Sequence, residues 1–246
     1  MTMDRAFKMI MILGLSAALF WAGTGRLEAE TEPPQLGHLW GNLWEGKLGK
    51  KPPAFKIWPI ARKVSSLDTN GNGVNDTDDI ISGGRLEVLR RPVYRSAYYR
   101  GGYPPETEGV CTDVIWRAFR HAGYELKDLI DADIKADTAA YPRTNGKPDP
   151  HIDFRRVPNQ KVFFQRHGLS LTTELKAGDL ENLGQWQPGD IVTFKNPDHI
   201  AILSTIRNDE GLPYLIHNDG PWAREDDDFA AWHSRGLTGH YRFPKK

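Results

Sequence analysis

Only one of the 246 residues is a cysteine, Cys111, so the chain forms no internal disulfide and supplies no zinc site that needs two thiolates. An excess of either charge is also missing: 32 Lys and Arg balance 32 Asp and Glu, a formal net charge of zero with His neutral. That balance argues against a nucleic-acid binder working through a broad basic surface. The HExxH, GxSxG, Walker A and dinucleotide fingerprints are lacking. So are internal repeats and low-complexity blocks. What remains is 39% hydrophobic and 26% charged, with 8 Trp, a composition that excludes wholesale disorder. The length suits one medium domain with extras, or two small ones.

The N-terminal hydrophobic run, residues 9–23 (MIMILGLSAALFWAG), is shorter than the roughly 20 residues that span a bilayer. Following Arg5 and Lys8, it reads as the apolar region of a signal peptide, or as an uncleaved membrane anchor, over residues 1–29. The expected location is exported: periplasm, cell envelope or extracellular space. Residues 30–60 carry Pro33, Pro34, Pro52 and Pro53 and read as a linker, or as a strap on which Trp40, Trp44 and Trp58 pack. Residues 61–246 read as the folded domain.

Within that domain the spacing predicts a helix over residues 78–89, interrupted near Gly83 and Gly84. A second helix starts at Cys111 and stops at Gly123, with Val114, Ile115, Ala118 and Phe119 on one face. Residues 161–166 read as a short helix. Strands follow at 190–194, 199–204, 214–217 and 239–243, separated by turn residues that favour antiparallel pairing. Helices followed by a sheet make an α+β fold.

Residues 68–79 (DTNGNGVNDTDD) have the oxygen-ligand spacing of an EF-hand-like loop. Asp68, Asn70, Asn72, the Val74 carbonyl, Asp76 and Asp79 take the ligand positions, and Gly73 the sharp turn. Asp in the last position and two neutral amides imply weak binding of Ca2+ in a structural role. The competing reading is a polar turn that binds nothing.

Cys111 opens its helix, where exposed amides favour thiolate. His199 begins one apolar strand and His217 ends the next, so a hairpin would bring the two together. Singly, these residues read as core fillers; together they favour a Cys–His–polar site. The acidic run Glu225, Asp226, Asp227, Asp228 reads as a solvated turn or a helix start, and His240 as a core or edge-strand histidine.

The segments GVCTDVIWRAFRHAGYEL, HIDFRRVPNQKVFFQRHG, WQPGDIVTFKNPDHIAIL and IHNDG…GHYRF resemble the DUF1287 family of bacterial proteins, over about residues 86–243. That family is grouped with the NlpC/P60-like, papain-like cysteine hydrolases. The resemblance implies a papain-like fold with the nucleophile helix packed on an antiparallel sheet. It also implies Cys111 as nucleophile, His199 as general base and His217 as orienting residue, with Asn218 competing for the last role. Peptidoglycan or another peptide is then the expected partner, cleaved at an amide bond without a catalytic cofactor. Acyl transfer or deamidation at the same site, or a non-catalytic wall protein of this fold, are the alternatives. The Cys111–His199 separation exceeds that of a compact NlpC/P60 domain, implying an insertion within 124–189 that walls the cleft. The expected substrate-binding set is Asp113, Asp153, Arg155 and Arg156, an arginine holding a substrate carboxylate. A structural Arg–Asp pair is the other reading.

Overall fold

The chain divides into two units, Met1–Pro53 and Ala54–Lys246. The computed structural model describes residues 57–245, all in the second unit. The signal or anchor segment and nearly all of the linker lie outside the described residues.

Six strands form one antiparallel sheet: β3 (Leu169–Ser170), β4 (Ile191–Phe194), β5 (His199–Arg207), β6 (Pro213–His217), β7 (Arg224–Asp226) and β8 (Leu237–Arg242). Their spatial order is β3-β8-β4-β5-β6-β7. Two further strands, β1 (Val93–Tyr94) and β2 (Glu108–Gly109), pair in parallel. Helices precede most of the sheet in sequence, so the fold is α+β.

The central strands are apolar on both faces because both are covered. On β5, Ile200 and Ile202 pack with Ile80, Cys111, Val114, Ile115 and Phe119 in the larger core. Ala201 and Leu203 alternate to the other face, against Trp186, Phe194, Phe229 and Trp232. The first face is closed by α1 (Asp76–Arg90) and α2 (Cys111–His121). The second is closed by α6 (Phe229–Gly236), with Leu183 of the short α5 (Leu180–Leu183) in the same cluster. Between them in sequence, α3 (Leu126–Ala136) and α4 (Val157–His167) extend the first core.

Three local expectations change. First, α1 runs unbroken through Gly83 and Gly84. Its start is fixed by Asn75, whose side chain accepts from the Asp78 amide, and by three aspartates in the first turn. The glycines allow close packing: a Cβ on Gly83 would lie 2.6 Å from His121 Cβ and 2.9 Å from Ala118 Cα. Second, the short helix at 161–166 is the end of α4, which starts with Pro in its first turn. Third, the acidic run begins in a strand and ends at a helix start, with Asp228 as the N-cap of α6. Its first half is edge strand β7, registered so that His217 pairs with Arg224 and Ile216 with Glu225.

Candidate functional site

Cys111 is the first residue of α2, and its side chain points into the first core, leaving the residue 5% exposed. The helix start is tied down by Asp113, which accepts from the Val110 amide at 2.8 Å and from Trp116 Nε1 at 2.7 Å. The Ile200 amide faces the sulfur. Burial nevertheless dominates, and the nearby Asp113 carboxylate adds to it; together they push the thiol up to about 12 despite the amides of Ile200, Thr112 and Cys111. The thiolate expected from a helix start is therefore absent at rest. Desolvation outweighs the exposed amides.

His199 and His217 meet as the hairpin requires. His199 Nε2 lies 2.8 Å from His217 Nδ1, and His217 Nε2 lies 3.0 Å from Asp226 Oδ1. His199 sits opposite Phe194 in the β4–β5 register, and its ring stacks on Trp232 of α6 at 4.1 Å and 18°. It thus lies on the second sheet face, while Cys111 lies on the first. Among the described residues no hydrogen bond joins the thiol to either imidazole. The link is one residue of backbone: the Ile200 amide faces the sulfur, and His199 precedes it.

Burial above all, with the Arg224 and Arg235 charges adding to it, holds His199 well below its ordinary value, so its imidazole is neutral near pH 7. Among the described residues its Nδ1 has no hydrogen-bond partner, and the residue is 3% exposed. A neutral thiol and a neutral imidazole on opposite faces of the sheet exchange no proton as they stand. Asn218 is otherwise engaged, donating to the carbonyls of Pro92 at 3.2 Å and Gly109 at 3.4 Å. The geometry therefore selects His217 over Asn218 as the partner of His199.

The substrate-binding set divides. Arg155 grips Asp113 with Nε–Oδ1 and Nη2–Oδ2 distances of 2.7 Å each, and its Nη1 donates to the Ala97 carbonyl at 2.9 Å. Both side chains are buried, so this bidentate pair holds the helix start in place; neither is available to a substrate carboxylate. Asp153 is buried and accepts from the Asp149 amide at 2.6 Å. Arg156 is different. Its side chain is partly exposed, its Nε lies 3.3 Å from Asp153 Oδ1, and it lines a groove of about 250 Å³ with Ser96, Val110, Arg143 and Asp198. That groove runs past the residues immediately before Cys111 and His199. Several of its walls come from within 124–189, the stretch expected to hold an insertion.

Three participants carried no signal in the sequence. Tyr94 lies near Cys111, Asp113 and Asp219, its phenol pushed up by burial first and then by the two carboxylates. Asp226 and Arg224 reach His217 only through the β6–β7 pairing, and no local motif marks them. Knowing that strand register beforehand would have found them.

In the loop of residues 68–79, Asp68 accepts from the amides of Asn72 at 3.0 Å and Gly73 at 2.9 Å. The side-chain amides of Asn70 and Asn72 converge on Asp79 at 2.7 and 3.0 Å. Asp76 departs from the expected ligand set. It is fully buried and turned to the backbone and hydroxyl of Thr69 and to the Tyr124 hydroxyl. His240, as expected, is a core residue, stacked on Trp186 and 2.9 Å from Asp190.

Comparison with known proteins agrees with these blocks. The chain is similar to the uncharacterized protein YijF of Escherichia coli (strain K12), with 36% identity over 173 residues, covering 67% of this chain and 80% of that protein. The family model described as a domain of unknown function, DUF1287, matches residues 81–243, which hold Cys111, both histidines, Arg156 and Asp226 alike. By that match the chain belongs to the DUF1287 family.

Proposed function

We propose that the protein is an exported cysteine hydrolase of papain-like, NlpC/P60-type fold that cleaves an amide or peptide bond, with peptidoglycan as the substrate. The observation that carries this reading is the ordered chain Asp226–His217–His199, whose open nitrogen lies one residue from the amide facing the Cys111 sulfur.

Catalytic hydrogen bonds are often long before substrate binds and shorten in the complex. On this reading the contact forms only in the complex, once the His199 ring leaves Trp232 for the Cys111 face; its Nδ1 then takes the Cys111 proton and the sulfur attacks the carbonyl carbon. The backbone amide of Cys111, at the helix start, stabilises the oxyanion. His199 then returns the proton to the leaving amine as the C–N bond breaks. Water, deprotonated by the same nitrogen, hydrolyses the thioester to a carboxylate and restores the thiol. Arg156, at the groove, receives a carboxylate of the substrate peptide.

Digestion of purified peptidoglycan in 18O-labelled water tests the reaction type. A new carboxyl carrying one 18O per cleaved bond is the expected product. An acyl group found instead on an added amine supports transfer, and peptides without any new carboxyl contradict hydrolysis. The sealed thiol, on the opposite sheet face from both rings, favours the second reading, a non-catalytic wall-associated protein that keeps the fold. It predicts intact peptidoglycan after prolonged incubation with folded protein.

The residues of the 68–79 loop fit calcium in part. Asn70 and Asn72 turn their side-chain amides to Asp79 and Asp68 accepts from two loop amides, whereas Asp76 is committed elsewhere. A weakly bound structural Ca2+ is the corresponding reading. Calorimetric titration with millimolar calcium should give heat that Asp68→Ala abolishes; no heat with the unaltered protein removes it.

A further inference from the structure

The edge strand β7 brings a carboxylate and a guanidinium to the far end of the histidine pair, and their chemistry fixes where each proton sits. Asp226 Oδ1 is 3.0 Å from His217 Nε2, and Arg224 Nε donates to Asp226 Oδ2. Arg224 also donates to the Gly220 carbonyl and reaches Asp219 and Asp228, so it is held from several sides. Burial opposes ionisation of Asp226, but the hydrogen bonds from His217 and Arg224 and the Arg224 charge outweigh it and hold the carboxyl below the usual range.

An ionised carboxylate only accepts hydrogen bonds, so the proton between Asp226 and His217 belongs to His217 Nε2. Taken with His217 neutral, that single N–H is already used, which makes His217 Nδ1 an acceptor. The 2.8 Å contact from that nitrogen to His199 Nε2 then requires the proton on His199 Nε2. By the same rule, His199 Nδ1 keeps its lone pair. No competing group intervenes: the nearest other carboxylate, Asp219 Oδ1, lies 4.0 Å from His217 Nδ1, beyond hydrogen-bonding range. Trp232 stacks on the first ring and stands edge-on to the second, 6.4 Å away at 90°, restricting both orientations.

We propose that Asp226, clamped by Arg224, is a positioning residue that fixes both His199 and His217 as Nε2–H tautomers and leaves Nδ1 of His199 as the proton acceptor. The tautomers stand on the hydrogen bonds with Asp226 ionised and His217 neutral; their catalytic consequence rests on the hydrolase reading above.

Long-range 1H–15N correlation of the histidine rings in the full chain, near pH 7.5, reads the protonated nitrogen directly. Both residues are expected to carry the proton on Nε2, and Asp226→Ala is expected to give mixed tautomers or Nδ1–H at His217. A wild-type His217 protonated on Nδ1 overturns the proposal even if the variant does not fold, as does an Asp226→Ala spectrum with both tautomers unchanged. Peptidoglycan release supplies the second arm. Asp226→Ala should lower kcat by roughly 10²-fold or more with KM little changed, since a wrong tautomer removes the base without disturbing binding. Assigned tautomers without any hydrolysis uphold this inference and remove the hydrolase reading. Hydrolysis by a protein with the opposite tautomers does the reverse.

Discussion

At the residue scale, burial decides more than position does. A helix-start cysteine ought to ionise easily, yet Cys111 is sealed into the core and its thiol sits at about 12. Iodoacetamide at pH 7.5 should therefore alkylate the native protein at least ~10-fold more slowly than the urea-unfolded chain, because the reactive species is the thiolate. Equal rates would contradict the burial. Asp113 teaches a related lesson. Its residue type suits either substrate binding or helix support, and only the bidentate contact with Arg155 separates the two. Asp113→Ala leaves that guanidinium buried and unpaired, so urea unfolding should show a loss of about 3–5 kcal/mol. A loss below about 1 kcal/mol would mean that the pair is not as dry as the structure makes it.

At the element scale, much of the architecture is legible in the sequence. The four main strands appear within a few residues of their expected places because short apolar runs bounded by Asn, Asp and Pro leave few alternatives. The helix at Cys111 is equally clear from its apolar face. Gly83 and Gly84 mislead, since low helix propensity argues for a break while the tertiary packing needs a flat surface on α1. Gly83→Ala distinguishes the two effects. Propensity alone would stabilise an exposed helix by about 1 kcal/mol. The close approach of Ala118 predicts instead a fall in stability by denaturant titration, of about 1–3 kcal/mol as for other overpacked sites. A rise in stability would show that the helices separate without cost. The site is less legible than the fold. His199 and His217 are readable because each sits at a strand end, whereas Asp226 and Arg224 depend on a register between two strands with no local mark.

At the scale of the whole molecule, the buried His199 links stability to pH. Folding holds the His199 imidazole below its ordinary value of 6.5, so the unfolded chain binds its proton more readily than the native one. Its contribution is present above about pH 6.5 and is lost as pH falls toward the depressed native value. Unfolding free energies from urea titrations should therefore decline from pH 7 to pH 5, and His199→Gln should flatten the decline. A wild-type stability independent of pH over that range would contradict the sealed environment of the ring. The same burial leaves both the Cys111 thiol and the His199 imidazole neutral in the resting protein.

The central claim, that Cys111 is the nucleophile of a hydrolase, is tested most directly by the rate at which soluble fragments leave purified peptidoglycan, followed by mass analysis, for wild type and Cys111→Ala. Wild type should release fragments at a steady rate and the variant should be slower by at least ~10³-fold, the scale of losing a covalent nucleophile. Release at the same rate by both proteins, or none by either, would contradict it.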